Sequence, residues 1–87
     1  MLDGNAIAGT MTEVFGAEMT LVVATCAGCG AHGPLAETAV YVSAPGIVVR
    51  CRSCDTALMV VVERDGVCCV DVRGIADLRE PASRRRW

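Results

Sequence analysis

Cys26-Ala27-Gly28-Cys29-Gly30 and Cys51-Arg52-Ser53-Cys54 are the stretches that decide the fold. Each is a C-x-x-C pair, and twenty-one residues separate Cys29 from Cys51. Two such pairs roughly 15–20 residues apart are a zinc pattern. Two thiolates three positions apart around a tight turn can point at one ion. Backbone N–H groups of the turn can donate to the sulfurs and spread their charge. Gly28 and Gly30 permit the close approach and the positive φ that such a turn asks for. A second turn brought alongside supplies two more sulfurs at ~2.3 Å and closes a tetrahedron. The predicted ligands are therefore Cys26, Cys29, Cys51 and Cys54, around one structural Zn²⁺ per chain. A closed set of four thiolates leaves no position for substrate. Iron fits the same ligands, and two redox-active C-x-x-C pairs are the other reading, although no βαβ pattern accompanies them.

The rest of the chain explains why a metal is needed. It has 87 residues, 53% of them apolar, yet only Phe15, Tyr41 and Trp87 are aromatic. A core of Val, Leu, Ile, Ala and Met in so short a chain is thin, and such chains carry staples. Structural zinc contributes ~10–16 kcal/mol of apparent binding free energy in small peptides. A domain of this kind has ~5–15 kcal/mol of net stability. On those magnitudes the ion decides whether the chain folds.

Outward from the knuckles, local patterns predict one domain over residues 1–81 with a basic, disordered tail at 82–87. Residues 3–15 read as a helix. Ile7, Met11, Val14 and Phe15 form one apolar stripe, Asp3 or Asn5 stands at the N-cap, and Gly16 stands at the C′ position. From Met19 the pattern turns to strand: Met19–Thr25, Leu35–Val42, Ile47–Arg50, Ala57–Arg64 and Val67–Arg73. Ser43-Ala44-Pro45-Gly46 and Asp65-Gly66 are turn signals, the second a hairpin signature. Ile75–Leu78 reads as a short turn. Neighbouring strand residues point to opposite faces, so Cys68 is expected in the core beside Val70 and Val72. Cys69 is expected on the other face, partly exposed or under the helix. His32 reads as a solvated loop residue, since the cysteine set is complete without it. Arg50 and Arg52 flank the second pair, where they can soften the charge of a tetrathiolate or stand as solvated surface charges.

Charge narrows the function classes. The net charge is −2, with eight Arg and no Lys. Three of them cluster at Arg84-Arg85-Arg86, leaving five Arg against ten acids in residues 1–83. That body is −5, and −7 with a zinc tetrathiolate, so it repels phosphates. The opening Met1–Asn5 lacks the basic and apolar regions of a secretory leader, and no apolar run reaches the ~18 residues of a membrane span. A cytoplasmic setting is expected, where thiols stay reduced.

The two knuckles resemble those of the zinc-ribbon group, in which each C-x-x-C sits at the tip of a β-hairpin around one ion. The resemblance covers about residues 19–73. It implies a small α+β zinc ribbon: an antiparallel β meander with two knuckles and an N-terminal helix. The whole chain is also similar to a family of short actinobacterial proteins of unknown function. Leu2-Asp3-Gly4-Asn5-Ala6-Ile7-Ala8-Gly9, Val14-Phe15, both knuckles and Asp71-Val72-Arg73-Gly74 carry that similarity. No catalytic set is visible. The expected role is a protein-interaction or assembly module, with another protein or a second copy of the chain as partner. The alternatives are a nucleic-acid-binding ribbon that uses Arg84–Arg86 and Trp87, and a thiol redox or metal sensor that uses Cys69.

Overall fold

The fold was taken from a computed structural model, which describes residues 2–43 and 46–79. In chain order the elements are β1 (Leu2–Asp3), a 3-10 turn (Gly4–Ile7), α1 (Ala8–Phe15), β2 (Val23–Cys26) and β3 (His32–Pro34). A second 3-10 turn (Leu35–Glu37), β4 (Ala39–Ser43), β5 (Gly46–Arg50), β6 (Ala57–Arg64), β7 (Val67–Asp71) and β8 (Ile75–Arg79) follow.

The expected meander exists, but as part of a larger plan with two antiparallel sheets. Strands β4 to β7 run as a meander, and β1 joins it to give the order β1-β4-β5-β6-β7. A separate sheet has the order β3-β2-β8. Val40, Val49, Met59 and Val61 of the large sheet form one cluster with Ala24 of the small sheet, Leu35, and Ile7 and Met11 of the N-terminal segment. Val14 and Phe15 pack against it half-buried, so the predicted helical stripe does face the core. A second cluster of Cys26, Cys51 and Leu58 joins the sheets at their knuckle ends, with Ile75 touching both clusters.

Several local expectations are corrected by tertiary contacts. The α-helix begins only at Ala8. Before it, Leu2 and Asp3 pair with Val40 and Ala39 of β4. Gly4 then packs so tightly on Leu35 that a β-carbon would lie 1.7 Å from its carbonyl oxygen. The Asp3 carboxylate accepts from the Asn5 N–H, capping the 3-10 turn rather than the helix. Gly16 closes α1 in the left-handed region at φ 73, as predicted.

The strand expected at Met19–Thr25 is shortened to Val23–Cys26, because the Glu18 carboxylate accepts from both the N–H and the hydroxyl of Thr20 and holds a turn there. Leu35–Val42 divides at buried Thr38, whose hydroxyl donates to the Leu35 carbonyl. Ala57–Arg64 is a strand with the predicted bounds, and Asp65-Gly66 turns it into β7 with φ 52 and 77. Ser43 pairs with Gly46; Ala44 and Pro45 of that predicted turn, and the tail 82–87, lie outside the described residues.

Two further expectations are overturned. Ile75–Leu78 is not a turn but most of β8, which pairs antiparallel with β2. Its alternation is blurred by Asp77 and Arg79, which pair with each other across one residue. Cys68 is exposed, not in the core, and Cys69 is exposed as well. The reason is position: β7 is the last strand of the large sheet, beyond the packed cluster, and even Val70 and Val72 are 37% and 41% exposed.

Candidate metal centre

The β2–β3 hairpin of the small sheet and the β5–β6 hairpin of the large sheet bring their tips together. There the sulfurs of Cys26, Cys29, Cys51 and Cys54 all lie within 4.8 Å of one another. The four residues predicted as ligands are thus assembled from two sheets.

The two tips share one backbone design, repeated twenty-five residues later. The Cys26 N–H donates to the Ala31 carbonyl at 2.8 Å, and the Cys51 N–H to the Thr56 carbonyl at 2.9 Å. Gly30 donates to the Cys26 carbonyl at 3.0 Å, and Asp55 to the Cys51 carbonyl at 2.9 Å. The Gly28 N–H points at the Cys26 sulfur at 3.3 Å, and the Ser53 N–H at the Cys51 sulfur at 3.4 Å. Gly30 and Asp55 occupy the same left-handed position, at φ 77 and 64. Asp is one of the few side chains that accept that conformation. The N–H groups of Ala31 and Thr56 stand at matching positions and favour the thiolates of Cys29 and Cys54.

The sulfur spacing fits a metal tetrahedron and not a disulfide. Cys26 and Cys54 sulfurs are 3.6 Å apart, and those of Cys29 and Cys51 are 3.7 Å apart. Four sulfurs at ~2.3 Å from a central ion have an edge of about 3.8 Å, whereas a disulfide needs ~2.05 Å. All six cysteines are free. One cysteine of each pair, Cys26 and Cys51, is buried, and its partner, Cys29 or Cys54, is exposed.

Electrostatics point the same way. The Thr56 hydroxyl and N–H lower the Cys54 thiol to about 6. The Ala31 N–H favours the Cys29 thiolate, but desolvation and hydrogen bonds from that thiol to Cys54, Cys51 and Cys26 outweigh it and push it up to about 12. Four sulfurs this close do not all ionise unless a cation offsets their charge. The arrangement is suited to holding one soft cation with four thiolates, which cross-links the two sheets.

Other residues singled out by sequence lie elsewhere. His32 stands on β3 opposite Thr25, half-buried and outside the sulfur group. Arg50 donates to the Asp55 carbonyl at 2.9 Å, so it braces the second knuckle through its backbone. Arg52 turns away to the Glu37 carbonyl. Thr56 was not anticipated as a partner of the site. Its signal is the correspondence of Cys26-x-x-Cys29-Gly30-Ala31 with Cys51-x-x-Cys54-Asp55-Thr56, which marks it as the carbonyl that closes the second knuckle.

Fold and site together define a small α+β domain with the two-knuckle arrangement of a zinc ribbon and a cysteine group able to hold a metal ion. The chain belongs to DUF6510, a family of unknown function, whose model matches residues 1–83. No curated protein and no solved structure matches it. Among the described residues, no helix is long and apolar enough to cross a membrane.

Proposed function

We propose that this chain is a structural-zinc domain that serves as a protein-interaction or assembly module, in the cytoplasm, and not as an enzyme. The observation that carries the reading is the four-sulfur group, whose spacing suits a cation and which offers it a full set of thiolates. Zinc is the preferred ion for such a set, and the four thiolates leave no position for a reacting ligand. What the metal holds in place is a sheet with surface to spare. With Val40, Val49, Met59 and Val61 turned inward, the register puts Tyr41, Val48, Val60 and Val62 on the outer face of the large sheet. Tyr41 is 44% exposed there. An apolar outer face of that kind supports association with protein more than with phosphate, given the acidic body.

Native mass spectrometry of the chain isolated from its source cells tests the reading. The expected result is one zinc per chain in a species heavier than the 9.1 kDa monomer. A metal-free monomer, or a chain that shifts nucleic acid at low salt and loses that binding on removal of residues 84–87, would replace it with another.

A further inference from the structure

We propose that the outer edge of β7 is a self-association surface, on which a second copy of this chain pairs its own β7, antiparallel, in the register Cys69 to Cys69. The inference deepens the assembly reading by naming its partner, and it rests on that reading.

Among the described residues, the two sheets have four edges, β1, β7, β3 and β8. Edge strands carry unpaired N–H and C=O groups, and proteins guard them with shortness, proline or charge. β1 has only two residues. β3 is three residues long and contains Pro34, which has no N–H to offer. β8 carries the paired charges Asp77 and Arg79. β7 has none of these guards along Val67-Cys68-Cys69-Val70, and all four residues are exposed. Its single charge, Asp71, ends the strand and is held by Arg73 at 2.5 Å.

The register follows from the hairpin. Asp65-Gly66 is a two-residue turn with both φ positive, and it closes on the pair Arg64 and Val67. Such a turn closes on a hydrogen-bonded pair, and antiparallel pairs then alternate. Val67, Cys69 and Asp71 therefore direct their backbone groups to β6, while Cys68 and Val70 direct theirs outward. A two-fold axis through Cys69 matches Cys68 of each copy with Val70 of the other, so the outward donors and acceptors satisfy one another. It also keeps all five strand residues paired. The result is one continuous ten-stranded sheet, five strands from each copy. The outer stripe of Tyr41, Val48, Val60 and Val62 is extended through Cys69, which lies across from Val62.

Sedimentation equilibrium of the zinc-loaded full chain gives the first test, with a mass twice 9.1 kDa expected. Cys69→Ser should keep that mass. Cys69→Lys sets two ammonium groups opposite each other and should halve it with zinc content unchanged. Cys68→Pro removes an N–H that β6 does not use and should do the same. Diamide reads the register. It joins two Cys69 thiols as one disulfide and takes up their two hydrogens to become the hydrazine. Cys68→Ser should therefore give a covalent dimer on a non-reducing gel, and Cys69→Ser should not. A zinc-loaded wild-type chain that stays at 9.1 kDa, or equal cross-linking of the two serine variants, overturns the proposal. Neither result touches the metal-held fold, which fails separately if the chain carries no metal.

Discussion

Gly28 faces Thr56 across the gap between the knuckles so closely that a β-carbon on Gly28 would stand 2.5 Å from the Thr56 hydroxyl oxygen. That hydroxyl lies 3.0 Å from the Cys54 sulfur. One knuckle therefore leaves room for the side chain that tunes the sulfur of the other. Gly28→Ala should push the hydroxyl off Cys54 and weaken metal binding by about 10-fold or more, the scale of lost outer-shell partners. The two sites share one contact, so they should not add. Gly28→Ala made on top of Thr56→Ala should cost little more than Thr56→Ala alone, measured by competition with a chromophoric chelator. Full additivity would show that Gly28 acts through something else.

Thr56 also sets how acid the site tolerates. Its hydroxyl and N–H favour the Cys54 thiolate and lower that thiol from the ordinary value of 9.0 to about 6. The preference for thiolate is complete above 9.0 and is lost as pH falls through about 6. Thr56→Val removes the hydroxyl, the larger cause, and lets the thiol rise. Protons then compete with the metal sooner, so the pH midpoint of metal release should move upward. A midpoint that is unchanged or lower would rule out this role for the hydroxyl.

Removal of the metal should unfold the domain. The ion's contribution of ~10–16 kcal/mol is as large as the whole expected net stability. A strong chelator at neutral pH should collapse amide proton dispersion and hydrogen-exchange protection. Cys26→Ser and Cys51→Ser should behave likewise, and more severely than Cys29→Ser or Cys54→Ser. The first two sulfurs are buried against Leu58, where a serine hydroxyl lacks the solvent available to the exposed pair. A metal-free chain with native protection would contradict the argument that the core is too thin to stand alone.

Asp55 and Gly30 offer an internal comparison, since both hold the left-handed position of their knuckle. A non-glycine residue there costs roughly 1 kcal/mol. Asp55→Gly should therefore raise thermal stability slightly, and Gly30→Ala should lower it. The ion pair lost with Asp55 is long, 4.0 Å, and exposed, so it offsets little. Thermal unfolding of the metal-loaded proteins checks both signs; a stabilised Gly30→Ala would break the correspondence between the knuckles.

Leu58 is fully buried beneath the sulfurs. Leu58→Ala should cost ~2–5 kcal/mol, as large-to-small changes in cores do. It should also increase hydrogen exchange at both knuckles together, because one side chain supports the two tips.

Features governed by near neighbours were legible in the chain itself. The two C-x-x-C pairs, the Asp65-Gly66 hairpin, the bounds of Ala57–Arg64, the helical stripe from Ile7 to Phe15 and the Gly16 stop each depend on a few adjacent residues. The missed features each depend on a distant partner. Ile75–Arg79 is a strand because β2 has an open side for it. Gly4 leaves the helix because Leu35 occupies the space beside it. Cys68 has the alternation of a core residue, but that pattern does not reveal where a sheet ends.

Sequence by itself determined which atoms can grip an ion and which segments turn tightly, since thiolate chemistry and local φ preferences act over a few bonds. Tertiary structure alone decided that the strands divide into two sheets, that Thr56 reaches Cys54, and that β7 is left as an open edge. Those outcomes depend on which surfaces remain uncovered after the others have packed, and no stretch of chain carries that information alone.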